Sequence, residues 1–230
     1  MAHRGFWKTA GSAQNSLSSL RNAQELGVYG SEFDVWLTKD DVLVVNHDAK
    51  IGKTIIEEAT FAEMAAVLLS NGEKLPTLES YLKIGAKNKK TRLVFELKPH
   101  KSKERERRAA ALSVALVEKH KLSGQVEYIS FSLHACKEFR RLVPSAQVYY
   151  LGGDLPPAEI KRHGLTGIDY KMGVLRKNPK WIDEARELGL KINVWTVNKP
   201  ADMRYFIGCG VDFITTDEPG KLCAMIDAKK

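Results

Sequence analysis

Residues 93–100 read LVFELKPH. The stretch opens like a buried β-strand and then sets Glu96 and Lys98 where the apolar run should continue. Alternate residues of a strand share a face, so Val94, Glu96 and Lys98 point one way while Leu93, Phe95 and Leu97 point the other. Two readings follow. The charges lie on the wet face of a sheet, or they mark a functional site at the end of an interior strand. The choice rests on the segments to either side.

Strand-like and helix-like segments alternate outward from this stretch in both directions. Upstream, a helix over Ser16 to Leu26 ends at Gly27, the strand SEFDVWL spans Ser31 to Leu37, and VLVVN follows at 42–46. A helical FAEMAAVLL and a second helix opened by Pro76-Thr77 lead into LVFELK. Downstream come a helix through Arg107 to His120, the strand VEYIS (126–130), a helix near 135–142 and the strand QVYYL (147–151). A helix over 157–163, the strand TGIDY, a helix over 179–188 and the strand KINVWTV (191–197) continue the alternation. A helix over 201–207, the strand VDFITT (211–216) and a terminal helix complete it. Gly27, Gly124, Gly164, Gly189 and Gly210 each fall between a helix and the next strand, where a left-handed cap is expected.

Such alternation implies parallel strands joined by right-handed helical crossovers. If Ala2-His3 is a first strand stub, and SEFDVWL with VLVVN forms one strand and its extension, the count is eight βα units. Eight units point to an α/β fold of the (β/α)8 TIM-barrel type, with 1–230 as a single domain. An open doubly wound sheet stays available, but no G-x-G-x-x-G or P-loop follows any strand to support its nucleotide-binding form.

Composition narrows the function classes. Hydrophobic residues make up 43% of the chain, and no apolar run approaches the roughly 20 residues that span a bilayer. An integral membrane segment is therefore not expected. The net charge of +8 raises the question of a polyanion, and the densest basic region runs from Lys83 to Arg108. Glu104 and Glu106 interrupt it and no aromatic ladder accompanies it, so nucleic acid is not the expected partner. Cys136, Cys209 and Cys223 lack metal-type spacing and are too few for a disulfide framework. Oligomeric state and compartment stay open. Met1 and Ala2 run straight into His3-Arg4-Gly5, which reads as periplasmic or secreted where a removed export signal preceded Met1, and cytoplasmic otherwise.

In a barrel of this type, reactive groups gather at the carboxyl ends of the strands. His3 and Arg4 end the first unit, Glu32 and Asp34 share a face of the second strand, His47 closes VLVVNHD, and Glu96 and Lys98 end the third. Phe33, Val35 and Leu37 would cover the helix side, with Trp36 on the carboxylate face. Three carboxylates facing one cavity repel, and raised pKa values or a cation must relieve that. Oxygen ligands without Cys favour a hard ion, so one divalent cation, Mg²⁺ or Ca²⁺, is expected. Two imidazoles can act as base and acid across one reacting centre, Arg4 offers a planar fork for phosphate oxygens, and Lys98 a point charge. Together they describe phosphoryl chemistry.

His3-Arg4-Gly5, Gln14-Asn15-Ser16, Glu32-Phe33-Asp34, Thr38-Lys39-Asp40 and Val45-Asn46-His47-Asp48 form an ordered set. Pro76-Thr77-Leu78-Glu79, Glu96-Leu97-Lys98, Trp195-Thr196-Val197-Asn198 and Thr215-Thr216-Asp217-Glu218-Pro219 continue it. In order and over nearly the whole chain, the set resembles the glycerophosphodiester phosphodiesterases. The resemblance implies a TIM barrel that hydrolyses a small-molecule glycerophosphodiester substrate to sn-glycerol 3-phosphate and an alcohol, using a divalent cation. It implies Glu32, Asp34 and Glu96 as metal ligands, His3 and His47 as the acid/base pair, and Arg4 and Lys98 as phosphate contacts. It also implies Trp195 as a wall of the substrate pocket. His100, His120, His134 and His163 match no motif and are expected at the surface.

The chain departs from the family pattern in two places. Gln14 stands where the family usually has Glu, which keeps hydrogen-bonding shape and removes a charge. The FWKTAGSA loop is longer than usual, and Phe6 and Trp7 are expected at the pocket mouth. The rival enzymatic reading is a lysophospholipase D or phosphoinositide-type phosphodiesterase on the same barrel, with Phe6, Trp7 and Trp36 as the apolar ramp it would need. A noncatalytic anion-binding barrel is the rival from another class.

Overall fold

The computed structural model describes residues 1–228. The segment around Glu96 is strand β5 (Arg92–Leu97), and it is buried on both faces from Leu93 onward. Its neighbour β1 (Gly30–Leu37) is buried throughout. No face of either strand is wet, so the surface reading of their charges falls.

Around these two strands the chain runs α1 (Leu17–Leu26), β1, β2 (Leu43–Val45), a small hairpin of β3 (Lys50–Ile51) and β4 (Thr54–Ile55), α2 (Phe61–Met64), α3 (Leu78–Gly85) and β5. Then follow α4 (Lys103–Lys119), β6 (Val126–Ser130), α5 (Leu133–Leu142), β7 (Gln147–Tyr150), α6 (Pro157–Arg162) and β8 (Gly167–Lys171). The chain finishes with α7 (Met172–Lys177), α8 (Lys180–Glu187), β9 (Lys191–Trp195), α9 (Pro200–Gly208), β10 (Phe213–Ile214) and α10 (Pro219–Asp227).

One curled sheet carries the order β10-β9-β8-β7-β6-β5-β1-β2, with every pair parallel except the antiparallel β1–β2 extension. The stub at Ala2 joins its two sides. Ala2 forms parallel bridges to Ser31 of β1 and to Thr216 just past β10. The Ala2 N–H donates to Gly30 O at 2.8 Å, Glu32 N–H to Ala2 O at 2.9 Å, and His3 N–H to Thr216 O at 3.0 Å. A strand of one bridged residue thus supplies the eighth stave of the barrel.

Side chains divide by parity, as strand geometry requires. Outward residues such as Phe33, Val35, Phe95, Leu97 and Tyr128 join the main core beneath the helices. There Phe33 stacks on Tyr81 at 4.3 Å and Tyr128 on Phe139 at 4.1 Å between ring centroids. Inward residues Val94, Ile129, Tyr149 and Leu151 fill the barrel with a second cluster.

Ser16, Thr77, Ser102 and Ser132 accept backbone N–H groups as N-caps of α1, α3, α4 and α5. Of the glycines expected in left-handed caps, Gly27, Gly164, Gly189 and Gly210 have positive φ and Gly124 does not. Past the end of α4, Lys121 takes the left-handed conformation instead, at φ 57°. The expected helix FAEMAAVLL stops after Met64: Leu68 bridges Lys74 antiparallel, turning at Gly72 with φ 83°. That turn delivers the Glu73 carboxylate to the Leu17 and Ser18 N–H groups at the start of α1, at 2.9 and 3.1 Å. Helix α7 was not foreseen: its six residues contain Gly173 and are too short for a periodic apolar stripe.

Candidate active site

The turn after the Ala2 stub has unusual backbone geometry. Arg4 lies at φ 56° and Gly5 at φ 79°, and a Cβ on Gly5 would meet the Ser19 side chain at 2.3 Å and the Ser19 carbonyl carbon at 2.8 Å. A non-glycine residue in this region costs on the order of 1 kcal/mol and persists where surrounding contacts fix it. Here they do. The Arg4 N–H donates to Glu32 Oε2 at 2.8 Å, and its guanidinium reaches Gln14 Oε1 at 2.6 Å. The Arg4 Nε lies 3.7 Å from Asp34 Oδ2. Asn15, also left-handed at φ 59°, donates to Asp34 Oδ2 at 2.8 Å and accepts the Asp34 N–H at 3.2 Å.

Glu32 and Asp34 project inward from β1, and Glu96 from β5, where the register pairs Asp34 with Glu96. One oxygen from each of the three lies within 4.8 Å of the others. Lys98 Nζ sits 2.8 Å from both Asp34 Oδ1 and Glu96 Oε1. Burial is the largest force pushing the Glu32 carboxyl well above its ordinary range, with the charges of Asp34 and Glu96 adding to it. Glu96 is likewise pushed up to about 8, by burial first and Asp34 second. Burial opposes the charge on Asp34 too, but Lys98, His47 and the hydrogen bonds outweigh it and hold Asp34 down at about 2. The buried Glu32 Oε1 has no hydrogen-bond partner. Three crowded carboxylates, two of them strained towards protonation and one with an orphaned oxygen, suit a hard divalent cation.

His3 and His47 are each oriented by a carboxylate at Nδ1. His3 Nδ1 lies 2.7 Å from Asp217 Oδ1, and Asp217 Oδ2 accepts the Asn198 amide at 2.7 Å. His47 Nδ1 lies 2.7 Å from Asp48 Oδ1. Burial lowers the His47 pKa against the opposing pull of Asp34.

His100, expected at the surface, is buried behind this group. Its Nε2 accepts the Leu37 N–H at 3.0 Å, which leaves the ring proton on Nδ1 to donate to Lys98 O at 2.6 Å. It ties the end of β1 to the end of β5 and fixes the backbone that carries Lys98. Burial, the largest influence, pushes it down to about 4. No sequence pattern distinguished it from a polar residue after a strand end. His120, His134 and His163 lie half-buried, away from the site: His120 is 3.5 Å from Glu79 and His134 3.0 Å from Glu106.

His3, Arg4, Glu32, His47, Glu96 and Lys98 line one cavity of about 130 Å³. Its opposite half is mostly apolar: Ile129, Phe131, Leu151 and Trp195. Phe131 meets Trp195 edge to face at 5.6 Å between centroids, and the Trp195 indole donates to Asp169 O at 3.0 Å. Trp195 therefore is a pocket wall. Phe6, Trp7 and Trp36 are absent from the lining. Phe6 packs with Ala2, Ala23 and Val28 outside the barrel, because the loop folds back over α1. Trp36 packs with Val44, Ile56 and Met64 under β2, where its indole donates to His47 O at 3.2 Å.

The sequence profile of the Glycerophosphoryl diester phosphodiesterase family matches residues 3–221. The chain belongs to that family. A glycerophosphodiester phosphodiesterase of Caldanaerobacter subterraneus subsp. tengcongensis is 26% identical over 98% of this chain and 96% of its own. A crystal structure of a glycerophosphodiester phosphodiesterase from Parabacteroides distasonis shares 53% identity, with a TM-score of 0.98 over 99% of this chain and 96% of that one. An Oleispira antarctica phosphodiesterase, solved in complex with the product sn-glycerol-3-phosphate, has the same fold at 22% identity, with a TM-score of 0.84 over 98% of this chain and 95% of that one.

As a member of the glycerophosphoryl diester phosphodiesterase family, the protein is a phosphoric diester hydrolase on a TIM barrel. Its Gln14 keeps contact with Arg4 through a neutral amide oxygen. Arg4 thus faces the pocket with less of its charge cancelled than a carboxylate at that position would leave. Residues outside the motif-based assignment complete the site: Asn15 and His100 hold Asp34 and Lys98, and Asp217 with Asn198 holds His3. Asn15, Asn198 and Asp217 belong to the ordered sequence motifs, but strand parity assigns no contacts to residues in loops.

Proposed function

We propose that the protein hydrolyses glycerophosphodiesters to sn-glycerol 3-phosphate and an alcohol, with His3 as general base and His47 as general acid. Glu32, Asp34 and Glu96 would hold one divalent cation, Mg²⁺ or Ca²⁺, which when bound supplies Lewis-acid neutralisation of phosphate oxygens. The observation that carries this reading is a single cavity bounded by the carboxylate cluster, Arg4, Lys98 and two imidazoles, each imidazole oriented by a carboxylate.

Arg4 supplies a planar donor to the phosphate, and Lys98 a positive charge beside it. His3 takes the proton of the attacking hydroxyl, a water's or the substrate glycerol's own, as its oxygen bonds to phosphorus; in the second case a water then opens the cyclic phosphate to glycerol 3-phosphate. Asp217 suits it to that role: burial works against the Asp217 charge, but His3, Asn198 and Lys8 hold its pKa down at about 2, so an anion faces the imidazolium as it forms. His47 gives its proton to the oxygen of the departing alcohol as the P–O bond breaks. The apolar ramp that an acylated substrate would need is missing from the cavity, since Phe6, Trp7 and Trp36 all lie outside its lining. That favours water-soluble diesters over lysophospholipids.

The decisive experiment is a coupled glycerol 3-phosphate assay on a panel of headgroup diesters and one acylated analogue, with chelator and with added Mg²⁺ or Ca²⁺. Release that a chelator abolishes and either ion restores is expected, with the acylated analogue poor. His47→Ala should lower turnover by about 10² to 10⁴, and near-normal turnover in that variant would remove His47 from the mechanism.

A further inference from the structure

On the cavity floor, opposite the carboxylate cluster, lies a second buried acid that the chemistry above leaves unused. Asp169 projects inward from β8 and is 2% exposed, yet it lines the cavity. Its Oδ1 accepts the Asn193 amide at 2.7 Å, and the same Asn193 nitrogen reaches Thr215 Oγ1 at 2.8 Å. The carboxyl accepts through Oδ1 in the first of these bonds, and Oδ2 is not one of the fully buried side-chain atoms left without a partner. No Lys or Arg side chain pairs with Asp169 among the described residues, whereas Asp34 and Glu96 share Lys98.

A substrate that displaced water from this carboxyl without bonding to it would leave it unmatched at a cost of about 1–3 kcal/mol, so an occupant that satisfies it is selected. The surroundings define that occupant. Ile129 and Leu151 line the same cavity, and Trp195, held by its bond to the Asp169 carbonyl and braced by Phe131, walls it. These surfaces accept carbon. Burial pushes the Asp169 carboxyl up to about 7, so near neutrality it is available both as donor and as acceptor. An aliphatic hydroxyl carries both functions on an apolar stem.

Resting on the phosphodiesterase reading, we propose that Asp169, set by Asn193 and Thr215, is a specificity-determining residue that takes an aliphatic hydroxyl of the substrate at the cavity floor. The hydroxyl has two possible sources in a glycerophosphodiester, the retained glycerol or a polyol leaving group. A quaternary ammonium can donate no hydrogen bond to Oδ2, so a choline head held there by charge and the Trp195 face would leave that oxygen unmatched.

The test compares kcat/KM for the wild-type protein, Asp169→Asn and Asp169→Ala, each with the divalent ion that supports turnover. The substrates are glycerophosphocholine, its 3-hydroxypropyl and propyl analogues, and glycerophosphoglycerol. Asp169→Asn keeps a donor and an acceptor and should retain the wild-type order of substrates. Asp169→Ala should lose about 10- to 100-fold in its preference for hydroxylated over dehydroxylated substrate. Collapse between glycerophosphocholine and its propyl analogue places the hydroxyl on glycerol. Collapse between glycerophosphoglycerol and glycerophosphocholine places it on the leaving alcohol. An equal loss on every substrate, or no loss on any, overturns the proposal, and thermal melts of the three proteins separate misfolding from lost selection. A wild-type protein that releases no glycerol 3-phosphate from any substrate would instead defeat the phosphodiesterase reading itself.

Discussion

His100 shows how a residue with no motif can support the site. Its neutral ring accepts from Leu37 and donates to Lys98, and protonation would abolish the first of these bonds. Its pKa is depressed to about 4 from an ordinary 6.5, so its contribution is fully present above pH 6.5 and fades as pH falls towards 4. Two to three units of depression correspond to about 3 kcal/mol. Urea denaturation of the wild type and His100→Gln should show the stability gap narrowing by about 2 kcal/mol between pH 7 and pH 4.5. A gap independent of pH would mean that the ring titrates in the fold as it does in the unfolded chain.

At the scale of elements, β8 and β9 approach unusually closely at Gly167. A Cβ there would lie 2.0 Å from the Lys191 carbonyl oxygen, a backbone atom that can move only with its strand. Gly167→Ala should therefore destabilise by about 3 kcal/mol, read from the urea midpoint, and should disturb Asp169 two residues on. Sequence reading located the strands well because period-two alternation and capping residues are local signals: VEYIS coincides with β6 at 126–130. It failed where a tertiary contact outweighed local preference. The apolar FAEMAAVLL gave way to a turn that lets Glu73 cap α1, and Phe6 turned outward to cover Ala2 and Val28. In the site, inward parity placed Glu32, Asp34 and Glu96 correctly. Asp169 obeys the same parity in TGIDY, yet a lone acid in a short strand carried no motif to mark it.

The whole barrel has an asymmetric interior. In the cavity, charge crowds the side built from the Ala2 stub, β1 and β5, while Ile129 of β6, Leu151 just past β7 and Trp195 of β9 form the other, an asymmetry that would orient a phosphodiester on binding. The crowded side holds Glu32 and Glu96 above their ordinary pKa values, which disfavours their charged forms in the protein alone. Binding of a divalent ion should offset this: at 100 times the dissociation constant it adds about 2.7 kcal/mol, or roughly 5 to 10 °C in Tm. Differential scanning fluorimetry with Mg²⁺ or Ca²⁺ should show that rise, and Glu32→Gln or Glu96→Gln should abolish it. An equal rise in those variants would place the ion elsewhere.

The bond between His3 and Asp217 joins positions 214 residues apart, and the Ala2 stub bridges both Ser31 and Thr216. A chain growing from its amino end therefore holds His3, Arg4 and all three carboxylates of the cluster long before Asp217, which orients His3, has been made. Synthesis at about 5–20 residues per second leaves the Ala2 stub, paired to Ser31, without its Thr216 partner for on the order of ten seconds or more. On the proposed mechanism competence would arrive with the last strand rather than accumulate, because a chain ending before Thr216 lacks both the closing bridge to Ala2 and the carboxylate that orients His3.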